Sequence, residues 1–246
     1  MSITARQNKA RALVVRHTSA LARPTVVRLA TASVLAGMAV AASAGTAAAA
    51  PAAPLPTFTG TTSLEALLVT DREAGSMLGV RDLDEVKSGN KLGTGSVRPS
   101  QCVSAFSPAQ AASYADTDPQ DVAFKVLSDD GSGPNLIVTE AVVQLDSKRE
   151  ALAHMTATAD AWADCKGMTV TAGGDSWVLD APRVNDAHTI VTLAQTSVDG
   201  GSTCERAIAT YRDIFIDVMS CSTGRAEEQA VKITQAIADN ADSQSA

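Results

Sequence analysis

The stretch CERAIATYRDIFIDVMSC, from Cys204 to Cys221, constrains this chain more than any other. Two cysteines bracket two β-rich runs with Arg212-Asp213 between them. If that pair is a two-residue turn, facing residues carry numbers that add to 425, as Cys204 and Cys221 do. They then sit directly opposite one another with Cα atoms about 4.5–5.5 Å apart, within reach of a disulfide. The same register sets Ala207, Ala209 and Tyr211 against Ile214, Ile216 and Val218, an apolar face expected to meet the core. The other face carries both cysteines with Ile208, Phe215 and Met219, mixed with Arg206 and Asp217. Arg-Asp is not a preferred hairpin turn, which leaves open a looser turn with shifted register.

Whether those thiols oxidise depends on compartment, and the start of the chain speaks to that. Residues 1–28 carry six basic residues and no acidic one. The apolar run LATASVLAGMAVAASAGTAAAA and then PAAPLP follow. A basic start, an apolar middle and small residues at the end form the pattern of a secretory signal peptide. Residues 1–49 are read as that peptide, with cleavage near Ala49 or Ala50. A spanning helix needs about 20 strongly apolar residues, more than Leu29 to Val40 supplies. Met38 stands where a lipidated cysteine would follow Ala-Gly, so no membrane anchor is expected after cleavage. The localisation expected is secreted, in the cell envelope.

All four cysteines, Cys102, Cys165, Cys204 and Cys221, follow that segment. An even count in an oxidising compartment reads as two disulfides. Zinc is the competing reading, but there is no C-x-x-C or H-x-x-x-H pair to supply a site. With Cys204 paired to Cys221, Cys102 is left for Cys165. That bridge closes a loop of about 60 residues, which stabilises by about 4 kcal/mol in the chain-entropy account. Covalent staples suit a chain with only 3% aromatic residues, whose core must come from Ala, Val, Leu and Ile. Of 20 basic residues, the six in the leader leave 14 against 27 acidic ones, a net charge of −13. Such a chain repels phosphate backbones and anionic lipid surfaces, so nucleic acid is excluded as a partner.

Past the leader, residues 50–62 are a flexible Pro/Thr-rich linker and 63–242 form one domain. Ser63 opens a short apolar helical run, and Thr70 to Glu73 has capping-box spacing ahead of a helix that stops at Gly79. From Arg81 to Gln101 the chain is polar and reads as a long loop, and SPAQAASYA (107–115) as a short helix with Pro108 first. VAFKVLS (122–128) and LIVTEAVVQL (136–145) form a hairpin around DDGSGPN. Ser147 and Glu150 cap a helix whose apolar stripe is Leu152, Met155, Ala159 and Trp162, continued by Cys165. Strands follow at MTVTA, SWVL and TIVTLAQTS, and a closing helix buries Ala226, Ala230, Ile233 and Ile237. The sum is an α+β domain, a mainly antiparallel sheet packed with helices and holding two disulfides.

QCVSAF…SYAD, AVVQLDS, AWADC, the opening stretch and an Ala-rich closing helix together resemble the PknH-like sensor domain over roughly Ser63 to Asn240. That domain forms the extracytoplasmic part of a mycobacterial receptor Ser/Thr kinase and occurs in free-standing exported proteins. The resemblance implies an α+β fold, disulfides paired in sequence order as Cys102–Cys165 and Cys204–Cys221, and a cleft thought to take a ligand. Here the sequence shows no kinase domain, membrane span or lipidation cysteine beside it, so this chain is not expected to pass a signal on by itself.

Candidate chemistry is thin. His188 lies near Asp186, but no G-x-S-x-G elbow offers a nucleophile. His154 falls on the polar face of the capped helix and reads as a solvated surface residue. GTGS (93–96) and DGSG (130–133) lack the strand–loop–helix context and lysine of a phosphate loop, and read as turns. Asp116, Asp118 and Asp121 lack the glycine and closing glutamate of a calcium loop. Trp162 reads as core. Trp177 is expected on an edge strand, able to line a cleft.

The sequence therefore points to no catalytic residue, no metal and no cofactor, and identifies no ligand-binding residue. The reading is a secreted, non-enzymatic sensor-like domain that binds a small molecule, glycan or protein partner of the cell envelope through a cleft. The alternatives are a secreted hydrolase using His188 and a pure protein-interaction protein. Native mass spectrometry of the secreted protein should find the leader gone and four hydrogens missing from the cysteines; free thiols or crossed linkages would contradict the framework.

Overall fold

The structure is a computed structural model and describes residues 63–244 apart from 82, 130–134, 188 and 225. The expected leader and linker, the DGSG turn and His188 lie outside the described residues. Nine strands appear among those described: β1 (Leu83–Gly89), β2 (Asp121–Asp129), β3 (Ile137–Gln144), β4 (Thr169–Ala172), β5 (Asp175–Leu179), β6 (Arg183–Val184), β7 (Ile190–Ser197), β8 (Thr203–Tyr211) and β9 (Ile214–Ser222). The helices are α1 (Asp71–Leu78), α2 (Val103–Phe106), α3 (Lys148–Asp164) and α4 (Gln229–Ser243), with 3₁₀ turns at Leu64–Leu67, Ser100–Cys102 and Ala111–Tyr114. The strands form one antiparallel sheet in the order β1-β2-β3-β9-β8-β7-β5-β4, with β6 against β7. The α+β architecture read from the sequence is the one observed.

The central hairpin keeps the simple register. Tyr211 pairs Ile214 and Cys204 pairs Cys221, whose Cα atoms are 4.0 Å apart and whose sulfurs are bonded. Arg212 takes a positive φ of 53°, which a two-residue turn with one left-handed position requires. Asp213 holds that turn against the neighbouring strand. Its carbonyl accepts the Leu145 N–H at 2.9 Å, and its carboxylate accepts from Gln144 Nε2 at 3.0 Å. A second disulfide joins Cys102 to Cys165, tying the turn before α2 to the end of α3.

Both faces of the sheet are covered. On the first face Ala207, Ala209, Ile214, Ile216 and Val218 pack against Ala230, Ile233 and Ile237 of α4 and against Leu64, Leu67 and Leu68. On the second, Ile208, Phe215, Val143 and Leu193 pack under Trp162 and Ala151 of α3. Arg206 and Asp217, the charged residues of that mixed second face, are 1% and 4% exposed.

Local signals hold at the helix ends. Thr70 and Glu73 form the full capping box, and Gly79 closes α1 with φ of 73°, a conformation that glycine adopts without strain. Ser147 caps α3 through the Glu150 N–H, but the Glu150 carboxylate turns to the N–H groups of Asp146 and Asp118. Two elements differ from the reading. The stretch read as a loop contains β1, an edge strand whose residues after Leu83 are all exposed, so no alternation marks it. Residues 107–115 do not start a helix at Pro108; Ala109 has φ of 48°, and only a 3₁₀ turn forms, from Ala111.

The N-terminal turns are clamped to the first face through one residue, Val69. Glu140 accepts the Val69 N–H at 2.8 Å, and its cross-strand neighbour Lys125 donates to the Val69 carbonyl at 3.3 Å. Burial pushes the Glu140 carboxyl up to about 8 from an ordinary 4.5, against the opposing pull of the Val69 N–H and Lys125. A raised carboxyl is fully compatible with folding below the unfolded value and loses stability as pH rises through the folded one. Unfolding free energy should therefore fall between about pH 4.5 and 8, by on the order of 4 kcal/mol, and then level. Glu140→Gln should lack this fall in urea titrations run at pH 5 and pH 8.

Candidate functional site

Residues 91–117 cross the second face of the sheet as an irregular strap, and irregular backbone lacks the partners that helices and ladders supply. Side chains from the sheet and from α3 take that role. Arg206 Nη1 and Trp162 Nε1 both donate to the Ser104 carbonyl at 2.9 Å. Gln195 Nε2 donates to the carbonyls of Ala105 and Phe106. The Ala109 N–H donates to Asp217 Oδ2 at 3.0 Å, while Asp217 Oδ1 pairs with Arg206 Nη2. The guanidinium also lies 5.1 Å from the Trp162 ring centre, a cation–π contact. Farther out, Arg98 and Thr171 exchange main-chain bonds, and the Cys102–Cys165 bridge fixes the strap to α3.

Between the strap and α3 runs a groove of about 660 Å³. Ala153, Ala157 and Ala161 recur every four residues along its helical wall, leaving room that longer side chains would fill. The groove carries Asp116 and Glu150 and no lysine or arginine. His154 lines its floor, Tyr114 stacks on the imidazole from beneath at 4.5 Å, and Phe215 meets the same ring edge-on at 4.7 Å. Ser113 Oγ, Tyr114 OH and His154 Nε2 are buried with no hydrogen-bond partner among the described residues. Burial draws the His154 imidazole below its ordinary range, opposed by Asp217 and Glu150, so the ring is neutral near pH 7. Burial, with Asp217 adding to it, pushes the Tyr114 phenol well above 10. The floor is thus a set of neutral hydroxyl and imidazole groups.

His154 corrects the sequence reading outright: it is 7% exposed and belongs to the groove, not to a solvated face. The buried positions of α3 are Ala151, His154, Thr158 and Trp162, while Leu152 is 46% exposed. The helix is covered on two sides, by the sheet and by the strap, so an apolar stripe alone misplaces its inner face. Trp162 is core, as read. Trp177 is not on an edge: β5 lies between β4 and β7, and the ring meets Phe106 at 6.4 Å. Asp186 is exposed, and its neighbour His188 lies outside the described residues. Of the three aspartates 116, 118 and 121, only Asp116 borders the groove. Among the described residues no group of three His, Cys, Asp or Glu converges on a metal position. Sequence reasoning missed Tyr114, Gln195 and the Arg206–Asp217 pair. The last had a signal, since the hairpin register sets Arg206 diagonally across from Asp217 on one face.

Residues 60–240 match the PknH-like extracellular domain family. The chain is 25% identical over 183 residues to the serine/threonine-protein kinase PknH of Mycobacterium bovis, covering 71% of this chain and 30% of that protein. The PknH of Mycobacterium tuberculosis is similar to the same degree, with 29% of its length covered. The chain thus spans less than a third of the curated relatives it matches. The crystal structure of the extracellular domain of PknH from Mycobacterium tuberculosis has the same fold, with a TM-score of 0.66 and 24% identity over 72% of this chain and 94% of that one. Among the described residues no helix is long and apolar enough to cross a membrane.

Removing one member of a buried ion pair strands the other, at a cost of about 3–5 kcal/mol, whereas replacing both by apolar residues often costs little. Arg206→Met and Asp217→Leu should each lower the unfolding free energy by roughly that amount. Arg206→Met with Asp217→Leu should cost less than their sum, a coupling that a double-mutant cycle in urea measures directly.

Proposed function

The chain belongs to the PknH-like extracellular domain family, and from that premise we propose that it is a non-catalytic extracytoplasmic recognition domain. Its ligand lies in the groove between α3 and the strap. The observation that carries this reading is an open groove lined by Ser113 and His154, each with a buried polar atom that has no partner among the described residues, over the unpartnered Tyr114 hydroxyl. A buried donor or acceptor without a partner costs about 1–3 kcal/mol, so such a cluster favours an occupant that hydrogen-bonds to it.

The chemistry of the lining narrows the class. With Asp116 and Glu150 present and no basic residue, an anionic ligand meets repulsion. Neutral groups that both donate and accept favour hydroxyl-rich ligands, among them sugars and glycan ends of the cell envelope. Non-catalysis fits the same inventory: Ser113 and His154 make no hydrogen bond to each other, and Asp217 is engaged by Arg206 and Ala109. Export follows in this reading from the leader, removed near residue 49.

Ala157 is exposed on α3, so a large side chain there obstructs the groove without entering the core. Native mass spectrometry of protein from its own culture medium should show a low-mass non-covalent adduct on the wild type. Ala157→Trp should lose it, binding at least about tenfold more weakly, which is about 1.4 kcal/mol, with unchanged thermal stability. An adduct that persists in the variant counts against the groove; turnover of the adduct counts against a non-catalytic role.

A further inference from the structure

The strap has a second side. Between it and strands β1, β2 and β3 lies another recess, of about 470 Å³. Phe124, Val126, Leu92 and Pro108 give it an apolar interior, and Lys87 and Lys91 stand at its mouth. The Lys87 ammonium is 5.5 Å from the Phe124 ring centre, so the charge is held over the apolar surface. No carboxylate lines this recess, in a chain with 27 acidic residues against 20 basic. Among the described residues neither lysine forms an ion pair. The two sides of one strap therefore have opposite electrostatic character: carboxylates without a base toward α3, lysines without a carboxylate toward β1.

The rim is a built feature. Gly93 N–H donates to the Ala109 carbonyl and Ala111 N–H to the Gly93 carbonyl, both at 2.8 Å. Gly95 N–H donates to Gln110 Oε1 at 2.9 Å, and Gln110 Nε2 donates to the Pro108 carbonyl. A Cβ on Gly93 would come within 2.8 Å of the Gln110 amide, so a larger residue there would displace that side chain from the stitch. The GTGS motif singled out in the sequence is thus the edge of the recess. Because the Gly93 and Gly95 N–H groups are engaged within the protein, the loop does not form the main-chain nest that phosphate takes. The positive charge comes from side chains, and the surface beneath it is hydrocarbon.

We propose that this recess is a second binding site, for an amphiphilic carboxylate, with the head group at Lys87 and Lys91 and the tail on Phe124, Val126 and Leu92. The site is separate from the α3 groove and does not rest on the function proposed there. Decanoate and decanol share a tail and differ in charge, which makes them suitable probes in equilibrium dialysis against the full chain. Decanoate should bind saturably, more tightly than decanol, and more weakly as salt is raised. Lys87→Glu with Lys91→Glu, both exposed positions, should weaken decanoate by about tenfold or more with unchanged melting temperature. Ala157→Trp should leave it unaffected. The proposal is overturned by equal binding of the two probes, by full affinity in the lysine variant, by loss of binding in Ala157→Trp, or by no saturable binding of decanoate.

Discussion

Arg206 and Asp217 form a charged pair inside a protein that is otherwise built from small aliphatic residues, and the strap exists because of them. Their outward-facing atoms hold the main chain of Ser104 and Ala109, residues about a hundred positions earlier. Taking two charges out of water is unfavourable by several kcal/mol per ion, and their mutual attraction offsets that only with good geometry and further hydrogen bonds. Here the further bonds go to a peptide carbonyl and a peptide N–H. What the pair provides is therefore location more than stability: it sets where an irregular segment crosses the sheet. Both recesses owe their walls to that crossing.

The two faces of the sheet solve the problem of a lean interior differently. The face under α4 is aliphatic, with regular helix-on-sheet packing and few polar atoms to satisfy. The face under the strap has less regular structure above it, and there Trp162, Tyr114 and Phe215 gather with the Cys102–Cys165 bridge. Large rings bury much area per residue, and a disulfide limits the unfolded chain where secondary structure does little. Glu205 shows the same economy at the other end of β8. Its carboxylate accepts the N–H groups of Glu228 and Ala230, capping α4 from a strand because no local side chain does.

What was legible in the sequence was what short-range chemistry decides. The Thr70–Glu73 box, the β2–β3 hairpin and the register that brings Cys204 to Cys221 depend on a few neighbouring residues, and each was readable. β1 was not, because an edge strand open to solvent on both sides carries no hydrophobic period. The setting of His154 was not, because a helix covered on two sides has no single stripe. The strap was hidden most thoroughly. Its bonds run from side chains to main chain across half the domain, and a main-chain carbonyl leaves no mark in a sequence. Arg206 and Asp217 did leave one, as opposite charges on a diagonal of one face of the hairpin.

The last turns of α4 also bear on handling of the chain. Asn240 Nδ2 donates to the Leu67 carbonyl and Gln244 Nε2 to that of Ala66, each at 3.1 Å. The first described turn and the final helix are thereby tied at a common corner. A pull entering at residue 63, from a tether, a fused tag or a surface to which the chain is attached, is shared between the C-terminal helix and the sheet strands that hold Val69. Mechanical strain at either terminus is felt at the same place, remote from the strap and from both recesses.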